Sequence, residues 1–302
     1  MKLHAEFKQD GINDFSYILK GLKEFCSFSI ETSFLCFKFS EKHLLIFGNE
    51  KRHVEILIKI SMNDLFYENY ILKSNSNNEI IILVYIYQIY DIFKNISKNT
   101  KITIDLFEKN GICILLFKHH CNVTDAFKKY ECGVEIINPS LTKFPDIKMH
   151  KNSIYINCKL KKCCKILNTY SKFYSDRIEL IFEIVNKKCD IIFLMDSITT
   201  KNVTTLKNNY VLKNVIDTKK KKNICKTYKN NDNSDLKKVV YIKTLTKALN
   251  ILNECRNNKD DIGIFKFIVP DNKCWFALKL GQFESSGNWT VLIIITDLNF
   301  NQ

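Results

Sequence analysis

The side chains of this sequence best placed to do chemistry are nine lysines, and the chemistry is the binding of an anion. They recur on four short segments: Lys20 and Lys23; Lys94 and Lys98; Lys161, Lys165 and Lys172; Lys243 and Lys247. Each segment carries an apolar stripe on its other side. The stripes read Phe15, Ile18, Leu19, Leu22, Phe25 and Cys26; Ile89, Ile92, Phe93 and Ile96; Leu160, Cys163, Cys164, Leu167, Tyr170 and Tyr174; and Leu245, Ala248, Leu249, Leu252 and Cys255. Apolar residues at i, i+3, i+4 and i+7 bury one side of a helix and leave the other wet. A wet side that is repeatedly positive suits an anionic partner.

Other reactive groups are scattered. His119, His120 and Cys121 form the one tight cluster of soft ligands, flanked by Cys113 and Cys132. Structural zinc needs paired ligands at regular short spacing, so the cluster reads as a surface loop and no metal is expected. Asp260 and Asp261 precede a strand and read as a turn. The sequence contains no GxGxxG, P-loop, GxSxG or HExxH pattern, and no cofactor is expected. A catalytic site assembled from distant carboxylates stays open. Phe34, Phe37 and Phe39 lack the glycines that accompany base-stacking aromatics in RNA-binding sheets, and read as core and edge packing.

The balance of 46 Lys plus Arg against 32 Asp plus Glu gives a net charge of +14 over 302 residues. That favours nucleic acid or an anionic membrane surface as partner. An AT-rich coding bias would also raise the lysine and asparagine content, so the placement of the lysines says more than their number. Residues 1–8 already alternate like a strand, with Leu3, Ala5 and Phe7 on one side, and no targeting segment is expected. The longest apolar run, Ile80–Tyr87, is too short to span a bilayer. The expectation is a soluble intracellular chain, with no membrane partner, whose twelve cysteines are reduced thiols.

The chain length suggests about two domains of roughly 150 residues. Pro139 and Pro145 bracket the best candidate for a linker, which gives a first domain over 1–138, a connector over 139–151 and a second domain over 152–302. Each half reads as two strand–helix–strands units. The helices are expected at Asp14–Phe25, Ile86–Ser97, Lys159–Tyr174 and Leu245–Cys255, and alternation as in Ile102, Ile104 and Leu106 implies sheets with one wet face. The segment from about 217 to 238 is polar and Lys/Asn-rich, and reads as a disordered basic insertion. Its Lys219, Lys220, Lys221 and Lys222 are either a nuclear-import patch or filler.

Several stretches resemble one family closely enough to name it. The opening Met1-Lys2-Leu3-His4-Ala5 is one. Asn78-Glu79-Ile80 followed by Tyr90-Asp91-Ile92-Phe93-Lys94 and by Lys101-Ile102-Thr103-Ile104-Asp105-Leu106 is a second. Ser153-Ile154-Tyr155-Ile156 followed by Leu160-Lys161 and Ser171-Lys172 is a third. Together they resemble the Hus-one subunits of the nine-one-one checkpoint clamps, relatives of the PCNA-like sliding clamps. The likeness spans nearly the whole chain and is diffuse, because clamps carry no catalytic motif. The insertion and the segment Cys121–Cys132 depart from the pattern.

The resemblance implies an α+β sliding-clamp fold, with two similar domains each of two helices packed on antiparallel sheets. It implies a non-catalytic nuclear subunit of a heterotrimeric ring. The ring partners would be Rad-nine-like and Rad-one-like subunits, and a checkpoint clamp loader would place it around double-stranded DNA without sequence specificity. The nine lysines would line the channel. Edge strands holding Val134 and Ile136, and Thr199, Val203 and Thr205, would join neighbouring subunits. Two other readings remain open: another sliding-clamp subunit, such as a PCNA-like homotrimer, and a nucleic-acid-processing enzyme.

Overall fold

The computed structural model describes all residues except 28–32, 51–53, 76, 95, 97–99, 122–125, 139–152, 171, 173–175, 186–187, 197–200, 214–235, 257–263, 271–274, 282–288, 297 and 299–302. The chain opens with strand β1 (Lys2–Glu6), helix α1 (Gln9–Cys26) and strands β2 (Phe34–Phe39), β3 (His43–Glu50) and β4 (Val54–Ser61). A single turn, α2 (Met62–Leu65), leads to β5 (Ile71–Lys73) and β6 (Ile80–Tyr85). Helix α3 (Ile86–Phe93) and the long strands β7 (Thr100–Lys109), β8 (Ile112–Cys121) and β9 (Ala126–Ile136) complete the first half. The second half runs β10 (Ser153–Lys159), α4 (Leu160–Tyr170), β11 (Arg177–Val185), β12 (Lys188–Asp196), β13 (Lys201–Lys213), β14 (Leu236–Tyr241), α5 (Ile242–Glu254), β15 (Ile264–Pro270), β16 (Trp275–Gly281) and β17 (Trp289–Thr296).

Strand pairing repeats between the halves. In the first, β1 pairs with β5 and β7, β2 with β3 and β6, and β3 with β4. In the second, β10 pairs with β13 and β15, β11 with β12 and β14, and β12 with β13, all antiparallel. The long β13 thus does the work of two strands. Its Lys201–Leu206 stretch pairs with β12 as β4 does with β3, and its Tyr210–Lys213 stretch pairs with β10 as β5 does with β1. One further ladder joins β4 to β17.

The chain divides into two compact units. The first holds Met1–Asp146, Lys247–Gly263 and Lys279–Ile293; the second holds Ile147–Thr246, Ile264–Leu278 and Ile294–Gln302. In the first, rings of Phe7, Phe15, Phe66, Phe93 and Phe117 meet at centroid distances from 4.6 to 5.7 Å. Edge-to-face contacts of this kind add to the burial of large apolar area. In the second unit, Phe182, Phe265, Phe267 and Phe276 form the equivalent cluster.

The helices form where the stripes predict, and their ends differ. α1 starts at Gln9, ahead of Asp14, with Asp10 in its first turn where the helix dipole favours a carboxylate. α3 ends at Phe93, and α4 at Tyr170. Lys94 and Lys172 therefore lie just beyond helices, not on them. His119, His120 and Cys121 are not a loop. They continue the alternation of β8 and pair with both β7 and β9, because hydrogen bonding on both sides stabilises strand whatever the side chain. β9 starts at Ala126, well before Val134. Leu236–Lys238, taken in the sequence as insertion, begins β14 and pairs with Leu180–Phe182.

At Gly21, α1 packs against Ile251 of α5 and the following Cys255, both of the first unit. A Cβ there would fall on Cys255 Sγ and within 3.0 Å of the Ile251 carbonyl oxygen. Alanine would gain about 1 kcal/mol in helix propensity. Overpacking a buried seam costs about 1–3 kcal/mol. Gly21→Ala is therefore expected to lose about 1 kcal/mol net, read from the urea midpoint. Cys255→Ala should relieve most of that loss. An alanine at 21 that stabilises the protein would contradict this packing.

The buried cysteines behave as small hydrophobes. Burial pushes the thiols of Cys26 and Cys189 up to about 12 and that of Cys132 up to about 11, Asp190 and Glu183 adding to the effect at Cys189. Cys158 and Cys255 are raised further by the same cause. Among the described residues no helix is long and apolar enough to cross a membrane.

Candidate nucleic-acid interface

The lysines singled out by the helical pattern fall into two groups. Lys20, Lys23, Lys94 and Lys247 belong to the first unit. Lys20 Nζ lies 4.8 Å from the centre of the Tyr17 ring, and Lys23 Nζ lies 4.4 Å from that of Tyr90, so α1 and α3 share a cation on an aromatic face. Lys94 pairs with Asp91 at 3.2 Å. Lys247 Nζ donates to the Ser27 carbonyl at 3.2 Å. The wet side of α1 also carries Asp10, Asp14 and Glu24, which offset its two lysines.

Lys161, Lys165, Lys172 and Lys243 belong to the second unit. All four are exposed. On α4 the buried residues are Leu160, Cys163, Leu167 and Tyr170, and the opposite side shows Lys161, Lys162 and Lys165 with no acidic residue anywhere in the helix. Lys243 sits in the first turn of α5. Among the described helices, α4 alone has no acidic residue to offset its lysines. Lys162, adjacent to the predicted set, is one of them. Lys98 and the basic run Lys219–Lys222 lie outside the described residues, as do Asp260 and Asp261.

The strand edges have a common geometry. Along β9, residues Ala126–Val134 pair with β8, and Glu135 and Ile136 pair with β6. Val134 stands opposite Cys113 and Ile136 opposite Ile82. Along Lys201–Leu206 of β13, Val203 stands opposite Leu194 and Thr205 opposite Ile192. Val203 is 56% exposed, unusual for a β-branched residue in mid-strand. Among the described residues no other strand pairs along the far side of β13 Lys201–Leu206, or of β9 Ala126–Val134. Thr199 lies outside the described residues. Unpaired edges of this kind are templates for another chain.

Two features escaped the helical pattern. One is a run of part-exposed rings at the ends of β2, β6 and α3: Phe34, Tyr85, Tyr87 and Tyr90. They are far apart in sequence and only the β2–β6 register brings them together, Phe34 opposite Tyr85. The other is His119, buried beneath Phe93 and Tyr130 with no hydrogen-bond partner at Nε2. Burial, reinforced by Lys128, lowers its pKa to about 4, so the ring is neutral at pH 7. Among the described residues no group of three or more His, Cys, Asp or Glu could hold a metal ion.

No family model matches the sequence, and no curated protein matches it. Solved structures do. The crystal structure of proliferating cellular nuclear antigen from Entamoeba histolytica is similar over 98% of this chain and 98% of its own, with a TM-score of 0.64 at 11% identity. That of Thermococcus kodakaraensis is similar over 98% of this chain and 99% of its own, with a TM-score of 0.66 at 11% identity. The fold is thus α+β, the sliding-clamp fold, with two similar domains that each pack two helices on antiparallel sheets.

Proposed function

We propose that this chain is a non-catalytic subunit of a ring that encircles double-stranded DNA. The observation that carries the reading is the β4–β17 ladder. It joins the fourth strand of the first half to the last strand of the second. By the internal repeat, β13 Lys201–Leu206 corresponds to β4, and β9 corresponds to β17. The chain uses this junction once internally and leaves its other two halves unpaired, one at each end of the repeat. Pairing β9 with the β13 of a neighbour would repeat the internal junction between subunits, and a closed ring follows when the rotation closes. A clamp fold over nearly the full chain supports the same reading.

The sequence resemblance to Hus-one subunits makes the proposed neighbours Rad-nine-like and Rad-one-like chains, with loading by a checkpoint clamp loader and a role in DNA-damage signalling and repair. A stable self-closing homotrimer, measured by mass in solution, would instead support the PCNA-like alternative. Metal-dependent turnover of DNA by the purified chain would support the enzyme.

Helix lysines hold DNA by charge without reading bases, which permits sliding. Lys161, Lys165 and Lys243 are exposed, whereas Lys20, Lys23, Lys94 and Lys247 already engage rings or oxygens. Neutralising Lys161, Lys165 and Lys243 to Gln in the assembled ring is expected to lower the slope of log K against log[salt] by about 3. Retention that kept its salt dependence would remove α4 and α5 from the channel.

The nuclear address belongs to the same proposal, carried by Lys219–Lys222. Deleting 217–235 is expected to leave ring formation intact, because loop closure depends only weakly on length. It should shift a fluorescent fusion toward the cytoplasm. Unchanged location would leave the run without an import role.

A further inference from the structure

The first unit carries a run of aromatic rings that neither its core nor the proposed ring closure uses. Phe34, at the start of β2, is 53% exposed, while Phe37 and Phe39 of the same strand are each 1% exposed. Phe34 faces Tyr85 across the β2–β6 ladder, with ring centroids 5.2 Å apart. Tyr85 lies 5.5 Å from Tyr87. Tyr87 and Tyr90 are three residues apart on α3 and so share a side of the helix. From there the run passes to cations: Lys23 over Tyr90, and Lys20 over Tyr17 one turn back on α1. All of these residues lie in one compact unit.

Partly exposed rings in series, followed by lysines, match a ligand with flat faces and a negative backbone. Burial, with Cys26, Tyr85 and Glu24, raises the Tyr87 hydroxyl above its ordinary range, so this ring stays neutral. A duplex keeps its base faces inside the stack and can engage only the lysines. An acidic peptide would use the lysines and leave Phe34 and Tyr85 without a role. Unpaired nucleotides use both, since every base has a π-face.

We propose that Phe34, Tyr85 and Tyr87 form a stacking platform for a single nucleic-acid strand, with the ammonium groups of Lys20 and Lys23, resting on Tyr17 and Tyr90, beside it for the phosphates. The inference does not rest on ring closure, because one chain contains the whole platform. Its natural use would be to hold the unpaired strand where duplex ends.

The test is fluorescence anisotropy of the full-length chain with a labelled oligo-dT and with a labelled duplex hairpin of equal charge, at low salt. The chain is expected to bind the oligo-dT. Phe34→Leu/Tyr85→Leu should weaken that binding about tenfold and leave the hairpin unchanged. Tyr85→Phe, which keeps the ring, should bind as the parent does. Tyr87→Leu offers a second route to the same loss. The proposal is overturned if the parent does not bind oligo-dT at low salt. It is overturned equally if the folded double variant binds undiminished, if the hairpin weakens in parallel, or if poly-Glu of the same charge displaces the strand as well as unlabelled oligo-dT does.

Discussion

Val203→Glu is expected to leave the monomer folded and to weaken ring assembly about fivefold, because a charge would replace an apolar cross-strand contact with the neighbour. In the monomer this side chain is 56% exposed, so a carboxylate there stays hydrated. In the proposed junction it would lie beside the side chains that the neighbour's strand presents on the same face. A proline at Val203 or Val134 attacks the same junction from the backbone by removing a ladder donor. The measurement is sedimentation of the chain mixed with its neighbours, with circular dichroism of the monomer as the control for folding. Assembly of Val203→Glu at parental affinity would place the junction elsewhere. The two edges differ in character. β9 carries Lys128, Lys129, Glu131 and Glu135, and β13 carries Lys201, Lys207 and Lys213. A neighbour with acidic residues facing β13 would therefore be favoured over a second copy of the chain.

His119 should make the fold acid-sensitive in a defined window. Its ordinary pKa of 6.5 falls to about 4 in the folded state, through burial and then through Lys128. Between those values the unfolded chain binds the extra proton and the folded chain does not, so stability falls as pH falls. The contribution is fully present above pH 6.5 and is lost as the pH drops through about 4. At about 1.4 kcal/mol per unit, the window spans roughly 3 kcal/mol. The groups around the ring cannot offset this. Phe93 and Tyr130 pack on it, Ile102 stands beside it on β7, and the charge acting on it is the cation of Lys128, opposite it on β9. His119→Phe should flatten the difference in urea midpoint between pH 7 and pH 4 relative to the parent. Equal pH slopes in the two proteins would show that His119 titrates normally. Other carboxylates contribute to both proteins and cancel in the comparison.

Much of the fold was legible because its signals are local. The stripe Phe15, Ile18, Leu19, Leu22 has one period, and a helix is the only element that buries it. The same holds for Leu160, Cys163 and Leu167. The misreadings share a cause: the deciding partner was distant. α1 extends to Gln9 because Gly11 lets it come close to the Leu65 carbonyl of α2, a contact invisible in the local pattern. His119–Cys121 looked like a loop because two histidines in succession have no period. The ladders of β7 and β9 fix them as strand. The lysine sets were legible as types and spacings but not as free charges. Whether a lysine lies on a tyrosine, as Lys23 does, depends on a residue in another helix. The Phe34–Tyr85 pair had no sequence signal, since only the register of β2 against β6 makes it.

Each core contains its own stopwatch. Alkylating reagents react with the thiolate, and in the closed protein Cys26 and Cys255 in the first unit, and Cys158 and Cys189 in the second, are neither ionised nor reachable. Labelling of these sulfurs must wait for a local opening, as amide exchange does. The position of each new adduct, read by mass spectrometry, would tell which unit breathes first and how often. The proposed ring would have to part somewhere to admit DNA, and the native cysteines would record whether either core loosens when it does.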